Sequence, residues 1–76
     1  MRQINVADFD FDGLYKGLKQ ARKSGLTLCV ATDGGWACER ADAWLPNQLC
    51  RITENYSREG LEAKIRAEIS AAEVVA

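Results

Sequence analysis

The sequence predicts an α+β domain in which two amphipathic helices pack on one face of a small sheet containing a β-hairpin, in the approximate order β-α-β-β-β-α. Three observations support this prediction: two stripes of apolar residues at helical spacing, and between them a pair of alternating segments joined by a glycine-rich turn. The chain has 76 residues, of which 47% are hydrophobic. This length allows one hydrophobic core, so residues 1–76 are expected to form a single small globular domain.

The first helix is predicted from Phe11 onward. Aspartates precede its first turn, Arg22 and Lys23 end it, and Gly25 follows. These charges complement the helix dipole, and a glycine is the preferred residue just after a last turn. The apolar stripe, spaced i, i+3, i+4, i+7 and i+10, consists of Phe11, Leu14, Tyr15, Leu18 and Ala21.

A β-hairpin is predicted where Leu26–Thr32 alternates like a strand, Asp33-Gly34-Gly35 forms a turn, and Trp36–Arg40 alternates again. A two-residue Asp-Gly turn would place Cys29 opposite Cys38 and divide the apolar residues between the two faces. A three-residue loop with a glycine in the left-handed conformation instead collects them on one face, and we predict this register. The residues collected are Leu26, Leu28, Val30, Trp36 and Cys38, which leaves Cys29 and Cys38 on opposite faces.

Four further segments complete the predicted fold. Ile4 and Val6 alternate with polar neighbours and predict a short first strand, whereas Ala41–Leu45 predicts a helical turn ended by Pro46. Gln48–Thr53 alternates and predicts an edge strand. A second helix is predicted from Ser57 to about Glu73, on the apolar stripe of Leu61, Ile65, Ile69 and Ala72.

Charge and hydropathy exclude several classes of protein. Ten basic and eleven acidic residues give a formal net charge of −1, which provides no general attraction to nucleic acid or to an anionic membrane. No apolar stretch approaches the roughly 20 residues that span a bilayer. The first residues, Met1 to Asn5, lack the apolar core of a signal peptide. We therefore expect a cytoplasmic protein without a membrane segment.

The reactive side chains argue against an enzyme. The chain has no histidine, the commonest general base. Its three cysteines, Cys29, Cys38 and Cys50, lack the close pairs typical of a zinc site or of a disulfide framework. Reduced, partly buried thiols are expected instead. We therefore predict no catalytic residues, no metal site and no cofactor.

One motif instead suggests a metal-binding or catalytic site. It is the run Asp8-Phe9-Asp10-Phe11-Asp12-Gly13. An EF-hand loop begins with this pattern. Such a loop also requires a bidentate glutamate at its twelfth position, because calcium needs six or more oxygen ligands. This chain has Lys19 there, so a calcium site is disfavoured.

The same run resembles the first motif of haloacid-dehalogenase-type phosphatases, in which a strand ends in D-x-D-G. The resemblance implies a strand at residues 4–7, Asp10 as nucleophile, Asp12 as acid/base and a Mg²⁺ ion. Leu14 stands where that family has threonine. The Mg²⁺ ligands and the phosphate-binding lysine of such a site come from a much larger sheet, which a chain of this length does not contain.

A capping role explains more of the motif. With Asp10 as N-cap, its carboxylate accepts from free amides of the first turn, and Phe9 packs on Leu14 as a hydrophobic staple. The start of the second helix has the same arrangement, since Tyr56 and Ser57 precede a first turn that leads to a leucine. We therefore predict that the aspartates cap a helix.

Two surfaces are candidates for binding. We predict that one tryptophan, Trp36, fills the core. The other, Trp44, is predicted to lie in a contact surface, because tryptophan is enriched at binding hot spots. The alternative is that both lie in the core. The predicted partner-binding residues are Trp44, Leu45, Leu49 and Tyr56. A second candidate surface, for nucleic acid or an acidic partner, consists of Lys16, Lys19 and Lys23 on the first helix.

These features together predict a non-enzymatic protein-interaction module, an inhibitor or regulator that occupies the surface of a protein partner. The alternative is a nucleic-acid accessory protein that uses the basic face of the first helix. A homodimer that buries the free sheet edge or the predicted partner-binding residues around Trp44 fits the same composition. Compact proteins of this length without catalytic groups are frequent among phage and mobile-element inhibitors, including anti-CRISPR proteins, a comparison that rests on size alone.

Overall fold

The computed structural model describes residues 4–75, in which two helices pack on one face of a three-stranded antiparallel sheet. The predicted α+β class is confirmed. The order of strands across the sheet is β2-β1-β3. The elements are a 3-10 turn at Val6–Asp8, α1 at Phe11–Lys23, β1 at Thr27–Ala31, β2 at Trp36–Glu39, β3 at Gln48–Ile52 and α2 at Arg58–Val75.

The predicted first strand is wrong. Ile4 precedes, and Val6 begins, a 3-10 turn, so the order of regular elements is α-β-β-β-α. Asn5 explains the difference, because its side-chain oxygen accepts a hydrogen bond from the Ala7 amide at 3.0 Å and so starts the turn. Asparagine competes with strand pairing by bonding to nearby backbone in this way.

The ends of α1 are as predicted. The Asp10 carboxylate accepts from the Gly13 amide at 3.1 Å and caps the first turn. At the other end Gly25 has φ +71°, and the Leu26 amide donates back to the Ala21 carbonyl at 2.7 Å. This return bond is typical of a Schellman ending, and it turns the chain from the helix directly into β1.

The hairpin has the predicted register. Leu28 lies opposite Cys38 and Val30 opposite Trp36, which leaves three residues, 32–34, in the loop. Gly34 supplies the left-handed conformation, with φ +92°. A side chain there would also fall on the Asp8 carbonyl oxygen. Glycine at this position therefore serves both the hairpin and the close approach of the segment that leads into α1.

The hydrophobic core lies between the helices and one face of the sheet. Leu28 and Val30 of β1 point to this face, together with Cys50 and Ile52 of β3 opposite them. The apolar stripes of both helices cover it, as predicted. Its fully buried large side chains from the helices are Leu14, Leu18, Leu61 and Ile65.

The second face of the sheet is covered in a different way. Strands β2 and β3 both pair antiparallel to β1 and lie on either side of it, so they run in the same direction. The connection from Glu39 to Gln48 must therefore travel back along the whole of β1. Because the helices occupy one face, this crossover segment, residues 40–47, passes over the other, which we call the open face. It explains why Thr27, Cys29 and Ala31 are all at most 5% exposed.

The crossover segment is not helical, in contrast to the turn predicted at Ala41–Leu45. Its first part is a tight turn in which the Ala43 amide donates to the Arg40 carbonyl at 3.0 Å, and the chain then extends. At its end the Thr32 amide donates to the Asn47 carbonyl at 2.9 Å. Eight residues must span the length of a five-residue strand, which favours extended chain over a helix that rises only about 1.5 Å per residue.

Replacement of Gly34 tests this arrangement. Gly34→Ala is expected to lower the free energy of unfolding by more than about 2 kcal/mol, because an alanine with positive φ costs roughly 1–2 kcal/mol and its Cβ would also displace Asp8. Gly25→Ala is the matched control, since Gly25 also has positive φ but nothing lies within 4 Å of its added Cβ. It is expected to cost about 1 kcal/mol. Equal losses in urea unfolding would contradict the close approach of Asp8.

Candidate interaction surface

Trp44 is the most exposed large hydrophobic residue of the described chain. It lies in the crossover segment with 70% of its surface exposed. The guanidinium carbon of Arg51, on β3, lies 5.4 Å from the centre of its ring. Arg51 is the register partner of Cys29, whose side chain points away from the helices. Trp44 and Arg51 therefore stack on the open face.

Arg51 has an unusual environment. Among the described residues its guanidinium forms no ion pair, and its buried Nε has no hydrogen-bond acceptor. Its charge is partly compensated by the π face of Trp44, an interaction worth about 0.5–1 kcal/mol at an exposed site. Because no described carboxylate engages it, the guanidinium can bind a carboxylate from outside the chain through N–H groups other than the buried Nε.

Cys29, the register partner of Arg51, has a thiol that is harder to ionise than a free one. Burial raises the pKa of Cys29, and the nearby Arg51 charge only partly offsets this effect. Burial also raises the pKa of Cys50, to about 12. The Cys38 thiol faces the helices and donates to the Gly17 carbonyl, with an S–O distance of 3.4 Å. All three cysteines are free, and Cys29 and Cys38 lie on opposite faces as predicted.

The structure separates the four predicted partner-binding residues. Trp44 is exposed, and Leu45 lies half-buried beside it in the crossover segment, where its amide donates to the Gln48 side chain at 3.3 Å. Leu49 and Tyr56 are half-buried and pack against the core on the helix side. Leu49 occupies the irregularity in the β1–β3 register, which accounts for its side chain reaching the core.

Arg51 is the residue of this surface that sequence reasoning missed. An isolated arginine in an alternating segment is ordinarily a solvated side chain. Only the register of β3 against β1, and the face over which the crossover segment passes, bring Arg51 to Trp44. The alternation of Cys50 and Ile52 predicts that Arg51 lies on the outer face of its strand, but it does not predict that Trp44 is its neighbour.

The second predicted surface lies on the outer side of α1. Lys16, Lys19 and Lys23 are all exposed, on the side of the helix opposite the residues that face the core. Lys19 lies over the ring of Tyr15, with its Nζ 5.2 Å from the ring centre. None of the three lysines forms an ion pair with a carboxylate in the described part of the chain.

The aspartate run leads into the start of α1. Asp10 caps α1, and Asp12 accepts a hydrogen bond from Arg58 at 2.6 Å, which links the starts of the two helices and lowers the pKa of Asp12. Ser57 caps α2 in the same way as Asp10, accepting from the Gly60 amide at 3.0 Å. The strand that a phosphatase motif needs before Asp10 is instead the 3-10 turn.

The Arg58 guanidinium forms ion pairs at the contact between the starts of α1 and α2. It donates to Glu62 at 2.7 Å as well as to Asp12, and Glu62 also accepts from Arg66 at 2.9 Å. The guanidinium carbon of Arg66 lies 5.5 Å from the centre of the Phe11 ring. Asp12 and Arg58 therefore link the start of α1 to the start of α2.

Metal-binding clusters and membrane-spanning helices are both absent from the described residues. Within residues 4–75, no three histidine, cysteine or acidic side chains come close enough together to hold a metal ion. Over the same described residues, no helix is both long enough and apolar enough to cross a membrane.

Substitution of Asp10 tests its role as the cap of α1. Asp10→Ala is expected to lower the free energy of unfolding by about 1 kcal/mol, because it removes the cap of α1. Asp10→Asn keeps a capping oxygen and is expected to lie within about 0.5 kcal/mol of the parent protein. Chemical unfolding measures both. A loss as large for asparagine as for alanine would show that the charge, and not the cap, is what matters.

Comparisons with known proteins do not assign the chain to a family. No protein-family model matches it, and neither does any curated protein or solved structure. The chemistry and exposure of its own residues are therefore the basis for a proposed function.

Proposed function

We propose that the chain is a non-enzymatic interaction module whose Trp44 surface binds a protein partner. The Trp44 surface consists of Trp44, Leu45 and Arg51. The observation that supports the proposal is the 70% exposure of Trp44 on a segment that covers the open face of the sheet. Tryptophan and arginine are the side chains most enriched among residues that dominate binding energy.

Contacts within the chain restrain this surface. Arg51 stacks on one side of the Trp44 ring. The turn at Arg40–Ala43 and the hydrogen bond from Thr32 to Asn47 fix the two ends of the crossover segment. Ordering a side chain on binding costs about 0.5–1.5 kcal/mol, so a ring that is already ordered loses less affinity to this cost.

The chemistry of the surface indicates what the partner presents. Trp44 offers an apolar ring, and Arg51 offers a guanidinium that no described carboxylate engages. A complementary partner places an apolar side chain on the ring and a carboxylate within reach of the guanidinium, where paired N–H donors favour bidentate contact. We therefore propose an acidic and apolar protein segment as the ligand.

An inhibitor or regulator is the role that fits such a module. Occupying a partner's surface requires shape and exposed anchors but no catalytic group. Burial raises the pKa of the Cys29 and Cys50 thiols, which disfavours their nucleophilic thiolate form. We place the partner in the cytoplasm, and the comparison with phage and mobile-element inhibitors remains an expectation based on size.

Selection of ligands from a displayed random-peptide library tests this proposal. We expect the selected peptides to combine an aromatic or aliphatic residue with a nearby Asp or Glu. Trp44→Ala is expected to weaken their binding at least tenfold in calorimetry, because truncating a hot-spot residue costs about 2 kcal/mol or more. Arg51→Gln is expected to weaken the acidic peptides and to spare peptides without a carboxylate.

Lys64→Ala is the matched control, because Lys64 is paired with Glu68 on α2 at 2.7 Å and lies outside the Trp44 surface. It should leave peptide binding unchanged. Peptides that bind Trp44→Ala as tightly as the parent protein would refute the proposed surface. Failure to select any peptide at micromolar affinity would count against a linear segment as the partner's epitope.

The second candidate function is that of a nucleic-acid accessory protein. It is favoured by one observation, the exposure of Lys16, Lys19 and Lys23 without ion pairs in the described residues. Phosphate binding by this face would weaken steeply with salt and would be abolished by reversing the charges of Lys16 and Lys19. Because α1 lies on the opposite side of the sheet from Trp44, Trp44→Ala would leave such binding intact.

A further inference from the structure

We propose that the acidic segment of the partner protein binds as an added strand, extended along the outer edge of β3. This inference rests on the function proposed for the Trp44 surface and says how that surface holds its ligand. In this mode of recognition, backbone hydrogen bonds to a sheet edge give affinity, and alternate side chains of the added strand give specificity.

The outer edge of β3 carries unpaired backbone groups at Arg51. Within the described chain only β1 pairs with β3. The Ala31 amide donates to the Gly35 carbonyl at 2.7 Å, so Ala31 directs its backbone groups to the β2 side of β1. By alternation Val30 directs its groups to the other side, where Cys50 is its partner. Arg51, the next residue of β3, therefore directs its amide and carbonyl away from β1, toward the free edge.

An irregularity in the β1–β3 pairing limits the length of the added strand. It lies at Leu49, before Arg51. Bulges twist an edge and discourage further pairing where they occur. From Cys50 to Ile52 the register is regular. The added strand is therefore short and centred on Arg51.

The side chain of Arg51 selects the residue beside it. Directly paired residues of neighbouring strands have side chains on the same face of the sheet. The residue beside Arg51 thus points to the open face, where no described carboxylate engages the guanidinium. An acidic residue there forms a charge-assisted contact. A residue two positions along the added strand lies on the same face and is the one placed to contact the Trp44 ring, which stacks with Arg51.

The charges along β3 identify the occupant as an acidic segment. Arg51 is the only charged residue of the strand. On the helix side, Lys64 and Glu68 lie close enough to Cys50 to influence its pKa, but they are paired with each other at 2.7 Å. Glu54 is exposed and follows the end of β3 by two residues. The uncompensated charge beside the regular part of this edge is therefore positive.

The edge of β2 does not offer the same complementarity. It is also unpaired within the described chain, but the only charged residue of β2 is Glu39. The next cation, Arg40, is paired with Asp42 at 3.6 Å. Trp36, which the sequence predicted to fill the core, is 41% exposed and lies against Gly17 on the helix side, away from the open face. An acidic segment is therefore repelled at β2 and attracted at β3.

Two substitutions of Arg51 separate its charge from its outward amide. The probe is the tightest-binding peptide selected on the parent protein, together with a version in which the corresponding amide residue replaces its acidic residue. Arg51→Gln keeps the outward amide and is expected to weaken only the acidic probe, at least tenfold. Arg51→Pro also removes the amide and is expected to weaken both probes about tenfold or more, because its ring occupies the edge. Proline is tolerated where the replaced N–H faces outward from an edge strand, and circular dichroism checks the fold.

The unaltered protein provides a second test. N-methylation of every second residue of the probe, in phase with the residue beside Arg51 or one residue out of phase with it, should weaken binding at least tenfold in one phase and leave it unchanged in the other. The Arg51 amide should exchange rapidly with solvent in the free protein and slowly with the probe bound. The amides of Cys50 and Ile52, which face β1, are the controls and should be protected in both states.

The possible failures are distinguishable. A probe that needs Trp44 but tolerates N-methylation in both phases would overturn the added strand and leave the Trp44 surface standing. Alternating sensitivity to N-methylation that Arg51→Pro does not change would place the strand at another edge and overturn the assignment to β3. Protection of the Arg51 amide in the free protein, with a dimer in sedimentation, would show a second copy at this edge and overturn the proposed occupant. Failure to select any peptide would overturn both proposals.

Discussion

The central position of β1 is the constraint on which the rest of the structure depends. Its two neighbours, β2 and β3, are both antiparallel to it and therefore run in the same direction. Two strands that run in the same direction cannot be joined by a tight turn. The chain must cross β1, and because both helices cover one face, it crosses the other. The burial of Cys29 and the exposure of Trp44 both follow from this single topological requirement.

Each face of the sheet thus has its own cover. The helices bury Leu28 and Val30 under a conventional apolar core. The crossover segment covers Thr27, Cys29 and Ala31 with a thin layer of non-helical chain, in which Trp44 stacks with Arg51 of β3. A thin cover of this kind leaves large side chains exposed, and this is why Trp44 is exposed on the open face.

The elements with local chemical signals were predictable from the sequence. The caps at Asp10 and Ser57 and the glycine at position 25 mark helix ends, because each satisfies backbone groups within a few residues. The hairpin register was predictable because only a left-handed Gly34 collects the apolar residues on one face. The aspartate run was ambiguous as a motif, but the matching start of α2 identified it as a cap.

The remaining features depend on contacts between distant residues. Two alternating residues at Ile4 and Val6 had no strand to pair with, and Asn5 turned them into a 3-10 turn. The face crossed by residues 40–47 follows from the sheet order, which no local signal encodes. The meeting of Arg51 with Trp44 depends on that crossing and on the β3 register together. Leu49 and Tyr56 reach the core for similar reasons, through an irregularity in pairing and through packing before α2.

The crossing of the open face is tested most directly by the nuclear Overhauser contacts of the Trp44 indole protons. The structure predicts contacts with the side chain of Arg51, which stacks on the ring, and none with core residues of the helices such as Leu18 and Ile65. Contacts between Trp44 and those core residues would place the segment on the helix face. That result would contradict both the crossover and the binding surface built on it.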